Sequence, residues 1–185
     1  MYKGRHEQRS SKWFVFLLAA FVLLCAIILG FASIVLRVKR PLLQLESVSV
    51  NHLSYRTSPS PSFNLKMVAQ ITVKNPNLGR FDYGNSSVTV LYEGSSVGDR
   101  ELQSGTVKSR EIRAVNVTLN LSSEKVLSSG NLSSDILSGA FNLTAYTKLT
   151  GTVHLLKFLK KKKSTEMACV MRLNLTSNSV QNLKC

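Results

Sequence analysis

The sequence predicts a mainly β protein, in which an antiparallel immunoglobulin- or fibronectin-like β-sandwich follows a single transmembrane helix. Two observations carry this prediction. An uncharged, apolar run occupies residues 13–36, and the part of the chain that follows repeats short stretches in which apolar and polar residues alternate. A long apolar run is typical of a membrane-spanning helix, and period-two alternation is typical of strands with one buried face.

By composition, the chain of 185 residues divides into four segments. We expect a basic cytosolic head at residues 1–12, a transmembrane helix at 13–36, a juxtamembrane segment with a first strand at 37–64, and the β-sandwich domain at 65–185. A domain above roughly 100 residues buries well over half of its surface, so this one needs neither metal ions nor dense disulfides for a core.

The apolar run fits an uncleaved membrane anchor. As a helix it measures about 36 Å, against a hydrocarbon core of about 30 Å. Trp13 stands where an aromatic side chain anchors a helix at the membrane interface, and basic residues flank both ends. The alternative is a cleaved signal peptide with its small-residue site at Gly30-Phe31-Ala32. The apolar region of a signal peptide is usually about 7 to 15 residues long, which favours the anchor.

Six Asn-x-Ser/Thr triplets follow the apolar run and indicate its orientation. Basic residues on the two sides of the run favour a cytosolic N terminus only weakly, with four before it and three directly after it. Glycosylation acceptors are useful on the lumenal side, so we expect the domain outside the cytosol. The candidate acceptors are Asn85, Asn116, Asn120, Asn131, Asn142 and Asn174.

Alternation predicts a series of antiparallel strands in the domain. Their apolar faces run through Leu65–Val73, Val88–Tyr92, Arg113–Leu121, Phe141–Leu149 and Met167–Leu175. Turn signals stand at residues 75–77, 83–85, 93–94 and 150–151. Short helical turns are expected from Glu124 to about Ser128, capped by Ser123, and at Ser134–Leu137 before Gly139.

Two of the three cysteines lie near the C terminus. Cys25 lies within the apolar run, whereas Cys169 falls on the last predicted strand and Cys185 is the final residue. In an oxidising compartment Cys169 and Cys185 would pair, and a bridge that closes about 15 residues contributes roughly 3 kcal/mol on the chain-entropy model. The alternative is a buried free thiol at Cys169 and an unpaired Cys185.

A basic run contributes to the formal net charge of +14. It consists of Lys157, Lys160, Lys161, Lys162 and Lys163. Between two predicted strands, such a run usually forms a solvated hairpin loop. The functional alternative is an anion-binding site for acidic polysaccharide or lipid headgroups. Nucleic acid is not an expected partner for a domain outside the cytosol.

Chemically active residues are distributed in a way that argues against an enzyme. None of the three histidines, His6, His52 and His154, has a second His or Cys at metal-ligand spacing. The ten acidic residues are scattered, and no phosphate-binding loop or nucleophile motif can be read. We expect no catalysis, no metal and no cofactor.

A combination of motifs resembles a known family. It comprises the turn Asn75-Pro76-Asn77, Tyr83 in the next aromatic segment, and Tyr92 and Gly94 in the following hairpin. Pro76 ends a strand because it lacks an amide donor, and the flanking Asn side chains bond nearby backbone. The combination resembles the plant late embryogenesis abundant group 2 domain, also called the water-stress and hypersensitive-response domain. With its basic head, single helix and C-terminal cysteines, the chain is similar to the membrane-anchored, harpin-induced-like branch.

This resemblance implies an antiparallel β-sandwich at the plasma membrane or another endomembrane, without catalysis, in plant stress or defence responses. Three roles follow from it and from the residues. The first is a binding or scaffold module, the second a structural membrane-to-cell-wall linker that uses the basic run, and the third a lipid-handling domain with an acyl chain between its sheets. Membrane lipid is the expected partner of the helix, and the sequence indicates no protein partner.

Overall fold

The structure is a computed structural model that describes residues 7–35, 37–126, 131–155 and 159–185. It contains two compact units, Met1–Arg37 and Val38–Cys185. Residues 1–6 of the basic head, and Leu36 at the end of the expected span, lie outside the described residues.

The first unit contains helix α1, which spans Glu7–Val35. Its segment Trp13–Ser33 is long and apolar enough to cross a membrane, a test of length and composition that signal sequences near an N terminus also pass. Large apolar side chains, such as Phe16 and Leu29, are exposed within the unit. Because the described side chains are apolar around the whole helix, an apolar surrounding suits it.

Among its described residues, the second unit contains ten strands and two short helices. The strands are β1 Leu42–Arg56, β2 Ser62–Lys74, β3 Arg80–Tyr83, β4 Ser86–Tyr92, β5 Ser95–Leu102, β6 Gly105–Val107, β7 Ile112–Ser122, β8 Ala140–His154, β9 Lys160–Asn174 and β10 Ser179–Lys184. A 3-10 helix at Ser123–Val126 and helix α2 at Leu132–Ser138 lie between β7 and β8.

Two antiparallel sheets form this unit. The first has the strand order β1-β2-β7, and β1 pairs with β2 along its whole length. In the second, β10, β9 and β8 are neighbours, and the other edge of β8 pairs with both β3 and β4. β6 continues the sheet beside β3, and β5 continues it beside β4. The mainly β, antiparallel class that the sequence predicts is confirmed.

The buried faces of both sheets form one hydrophobic core. Phe63 of β2 and Phe141 of β8 join the sheets, with their ring centroids 4.9 Å apart. Tyr92 of β4 meets Phe141 edge-on at 5.6 Å. Such aromatic pairs add about 0.5 to 1.5 kcal/mol beyond the burial of their area. The predicted apolar faces are buried as expected, except near the start of β7, where Arg113 is exposed and Val115 is half-buried.

Two local expectations need correction. Thr150-Gly151 is not a turn, because β8 continues through both residues to His154. Gly151 instead allows β3 to approach β8 closely, since a Cβ at this position would meet the backbone oxygen of Asp82 and the ring of Phe81. Ser123 does not precede its helical turn as a cap but is the first residue of the 3-10 helix, and its hydroxyl accepts the backbone N–H of Phe63 at 2.9 Å.

The second expected helical turn is confirmed as α2. It ends at Gly139, whose φ of 75° suits a residue without a Cβ. Residues 127–130, which include the expected end of the first helical turn, lie outside the described part of the chain.

Candidate functional site

The turn after β2 contains a buried pair, Asn75 and Asn77, which we call the asparagine hub. The Asn75 side chain is fully buried. Its Nδ2 donates to the backbone oxygens of Gly79 at 2.7 Å, Val107 at 3.2 Å and Lys108 at 2.9 Å. One amide therefore joins its own turn to β6 and to the loop that follows β6.

Asn77 extends the asparagine hub to the segment that precedes β1. Its backbone N–H and its Nδ2 both donate to Asn75 Oδ1, at 3.1 and 3.0 Å. Its Oδ1 accepts the backbone N–H of Lys39 at 2.7 Å, and its Nδ2 also donates to the Lys39 carbonyl at 3.0 Å. This double contact imitates strand pairing and holds the chain before β1 against the domain.

The other motif residues also build structure. Tyr83 is buried, with its ring centroid 6.0 Å from that of Phe81. Gly94 and Glu93 both have positive φ values, 82° and 47°. These values match the type I′ turn that joins two strands of a tight hairpin, here β4 and β5.

Tyr92 pairs with a carboxylate at the edge of the core. Its hydroxyl donates to Asp135 Oδ2 at 2.8 Å. Burial raises the pKa of Tyr92 well above its ordinary value, and the hydrogen bond to Asp135 and the charges of Asp135 and Glu93 raise it further. The tyrosine therefore stays neutral in the folded domain at pH values where an exposed tyrosine ionises.

The Tyr92 pair predicts a specific alkaline response. Ionisation of tyrosine in the unfolded chain, at about pH 10, favours unfolding, because the folded pKa lies higher. The contribution of Tyr92 is thus fully present below pH 10 and declines above it. Tyr92→Phe should lower the free energy of unfolding by about 2 kcal/mol at pH 7. The gap to the wild type should narrow above pH 10, as measured by urea unfolding at each pH.

The exposed Tyr55 offers a matched control for this measurement. Tyr55→Phe should follow the wild-type pH profile throughout. If the difference in free energy of unfolding between Tyr92→Phe and the wild type stays constant from pH 7 to 11, the pKa of Tyr92 is not raised in the folded domain.

The C-terminal cysteines are joined. Cys169, on the buried face of β9, forms a disulfide with Cys185, with 4.0 Å between their Cα atoms. The predicted pair is confirmed, and the alternative of a free thiol at Cys169 is wrong. β10 also pairs with β9, so the tail is fixed by a strand and by a covalent bond.

The basic run is not a hairpin loop. Lys160 to Lys163 belong to β9, where Lys160 lies opposite His154 and Lys163 opposite Gly151. The expectation fails because the β8–β9 ladder extends beyond the core, and lysine stems are tolerated on a strand whose faces reach water. Lys157 lies outside the described residues.

The first half of β9 borders a surface cavity of about 470 Å³, which we call the basic groove. It is lined by Arg40, Lys148, Lys162, Lys163, Ser164, Thr165 and Glu166. Sequence reasoning found Lys162 and Lys163 but missed Arg40 and Lys148. The register of β8 and β9 would have indicated Lys148, since it lies opposite Glu166. Arg40 carries no such signal, because the asparagine hub brings its segment into place.

Five of the six candidate acceptors have exposed side chains, namely Asn85, Asn116, Asn120, Asn131 and Asn142. Asn174 is half-buried, and its Oδ1 accepts two backbone N–H groups at 3.0 Å. The Nδ2 atoms of Asn85 and Asn131, to which a glycan would attach, donate to carboxylates of Glu101 and Glu93. The most open acceptors are therefore Asn116 and Asn120 on β7 and Asn142 on β8.

Comparison with known proteins identifies the family. The family model described as "Late embryogenesis abundant protein" (LEA_2) matches residues 70–170. The Arabidopsis thaliana late embryogenesis abundant protein At1g64065 is 30% identical over 188 residues, which cover 100% of this chain and 87% of that protein.

Solved structures also resemble the chain. A solution structure of a putative late embryogenesis abundant protein, At2g46140.1, is 10% identical, covers 91% of this chain and 87% of its own, and has a TM-score of 0.38. A solution structure of AT1g01470 from Arabidopsis thaliana is 15% identical and covers 69% and 82% of the two chains, with a TM-score of 0.35. Because the family model matches residues 70–170 and the relative matches 100% of this chain, the chain belongs to the late embryogenesis abundant LEA_2 family.

Proposed function

We propose that the chain is a single-pass membrane protein with a cytosolic N terminus, whose β-sandwich lies outside the cytosol and serves as a binding or scaffold module in plant stress or defence responses. Its membrane is the plasma membrane, and it performs no catalysis. A stress-related role is supported by membership of the LEA_2 family. The apolar helix supports the membrane anchor.

The disulfide between Cys169 and Cys185 is the observation that carries the proposed topology. Disulfides form and persist in the secretory pathway and at the cell surface, whereas the cytosol keeps thiols reduced. Exposed candidate glycosylation sites on the outer faces of both sheets, such as Asn116 and Asn142, also support a location outside the cytosol. Lipid of the bilayer is then the partner of α1.

A binding role is supported by the nature of the surface. The chemically distinctive feature of the domain is the basic groove, where cations converge. The motif residues Asn75, Asn77 and Tyr92 are buried in structural bonds, so they shape the scaffold and leave the surface to make contacts. We propose that the two sheets form a β-sandwich of immunoglobulin or fibronectin type.

Two alternative roles differ in the ligand they require. A membrane-to-wall linker would use Lys160 to Lys163 to hold acidic polysaccharide. A lipid-handling domain would need a continuous apolar cavity between the sheets. Four surface cavities of about 340 to 470 Å³ are open to solvent and lined mostly by polar and charged residues, so these four do not favour that third role.

Glycosidase sensitivity tests the topology. The full chain is expressed in a plant secretory pathway, digested with an N-glycosidase and compared with Asn116→Gln/Asn142→Gln. We expect a gel shift on digestion that is smaller for the double variant, because two open acceptors are lost. Asn51→Gln/Asn64→Gln, which changes exposed asparagines outside any acceptor triplet, should shift like the wild type.

Protease protection completes the experiment. In sealed microsomes the domain should resist added protease until detergent is present. Digestion of the domain in intact microsomes, together with no glycosidase shift, would overturn the proposed orientation.

A further inference from the structure

We propose that the basic groove is a binding site for a phosphomonoester, either a free phosphorylated metabolite or the headgroup of an anionic lipid. The site deepens the binding role proposed for the domain and rests on it. Its geometry comes from three separate parts of the chain, which meet at one sheet edge.

Uncompensated positive charge is the first observation behind the site. Four cations and one carboxylate line the groove: Arg40, Lys148, Lys162, Lys163 and Glu166, which lies opposite Lys148 in the ladder. Glu166 also accepts a hydroxyl from Tyr146 at 3.4 Å. Within the described ranges, the ion pairs found both involve Asp82 and not these four cations. Like charges held together repel one another, and an anion would relieve that repulsion.

The fold holds these cations in place. Asn77 fixes the backbone of Lys39 with two hydrogen bonds, so that Arg40, the next residue, is placed by the asparagine hub. Lys148 lies within the continuous β8–β9 ladder. Lys162 and Lys163 are consecutive in a strand and so point to opposite faces of the sheet, yet both line the groove. The groove therefore wraps around the edge of β9.

This strand edge offers further donors. In the described part, β10 pairs with β9 only from Val170 to Asn174, so no strand is paired with the first half of β9 on that side. Backbone N–H groups along a free edge are available to a ligand. Ser164 and Thr165 line the same cavity, and the Ser164 hydroxyl also shares a hydrogen bond of 3.0 Å with Thr150 Oγ1. Hydroxyl and N–H donors beside cations suit an oxyanion with several oxygen atoms.

The size and charge of the groove favour a phosphomonoester over a single carboxylate. Arg binds phosphate through its planar fork, and Lys acts as a point charge. The groove is open to solvent, and its volume of about 470 Å³ leaves room for an organic part beside the phosphate. An extended polyuronate would instead also use Lys160 and Lys161, which do not line the groove.

This difference supplies a matched pair of variants. The groove variant is Arg40→Gln/Lys162→Gln, and the control is Lys160→Gln/Lys161→Gln. Each removes two positive charges, and the changed side chains are exposed in both, so neither is expected to disturb the fold.

Binding is measured by calorimetry on the full chain, held in phosphatidylcholine nanodiscs and titrated with glycerol 3-phosphate. We expect saturable binding whose Kd rises at least tenfold in the groove variant and less than twofold in the control. Absence of saturable binding in the wild type, or equal weakening in both variants, would overturn the site. So would binding of polygalacturonate alone, with a dependence on Lys160 and Lys161.

A flotation assay separates the two sources of the phosphomonoester. Nanodisc-held protein is mixed with vesicles of phosphatidylcholine, with or without phosphatidic acid. Flotation that requires phosphatidic acid and is inhibited by glycerol 3-phosphate assigns a lipid headgroup, and soluble binding without flotation assigns a free metabolite. Both assays use purified protein, so their results do not depend on the side of the membrane on which the domain lies. A failed glycosidase test would therefore overturn the proposed topology without deciding whether the groove binds a phosphomonoester.

Discussion

Replacing Asn75 by alanine is expected to lower the free energy of unfolding by about 4 kcal/mol. The change removes the donor that satisfies the backbone oxygens of Gly79, Val107 and Lys108. Each buried polar group left without a partner costs about 1 to 3 kcal/mol. Urea unfolding of the full chain in detergent micelles, followed by the near-ultraviolet circular dichroism of its tyrosines, measures the loss.

A second substitution separates hydrogen bonding from packing. Asn75→Asp keeps the shape of the side chain but places a carboxylate oxygen against carbonyl oxygens that need a donor. Asn77 would still donate to one oxygen of the new carboxylate, but the other would face three backbone oxygens that offer no donor. We therefore expect at least as large a loss as for alanine at pH 7, because burying a charge against such oxygens is costly. The exposed Asn64 is the control, and Asn64→Ala should change stability by less than about 0.5 kcal/mol. A mild effect of Asn75→Asp would show that the asparagine hub is a packing feature only.

The asparagine hub shows which hydrogen bonds can be predicted from the sequence and which cannot. The motif predicts that asparagines beside Pro76 bond nearby backbone, and the bond from Asn75 to Gly79, four residues away, is of this kind. The bonds to Lys108 and from Asn77 to Lys39 cross 33 and 38 residues. A local pattern holds no information about which distant backbone will arrive at a side chain.

The strands show the same division. Met67 and Ile71, at alternate positions of β2, are fully buried, because one face of that strand meets the core. β5 escaped prediction because Asp99, Arg100 and Glu101 are consecutive exposed residues and break the alternation. The strand that contains Lys160 to Lys163 was not predicted for a related reason. Beyond the core both faces of β9 meet solvent, so its apolar and polar residues do not alternate there and the pattern no longer identifies a strand.

Only part of the candidate site could be predicted from the sequence. The run Lys160 to Lys163 indicated anion binding by its charge alone, but the groove takes only two of those lysines. Its other cations, Arg40 and Lys148, come from segments that are ordinary in sequence. Charge runs are visible in a sequence, whereas convergence of single charges depends on sheet register and on the asparagine hub.

Gly79→Ala is expected to destabilise the domain by at least about 3 kcal/mol, although it adds a single methyl group. A Cβ at this position would overlap the carbonyl of His154 and lie 2.8 Å from the Cα of Leu155. Overpacking usually costs about 1 to 3 kcal/mol when side chains can move aside. Here the obstructing atoms are backbone, so relief requires opening the ladder between β3 and β8, where Arg80 pairs with His154.

Gly84 supplies the control for this substitution. It lies between β3 and β4, with nothing within 4 Å of an added Cβ. Gly84→Ala should therefore leave the unfolding midpoint unchanged or raise it slightly, since alanine reduces the freedom of the unfolded chain. If both alanine variants unfold at the wild-type urea concentration, β3 and β8 do not approach as closely as described. A loss confined to Gly79→Ala, in contrast, means that the backbone contact at Gly79 helps to hold β3 on β8, and with it the turn that carries the asparagine hub.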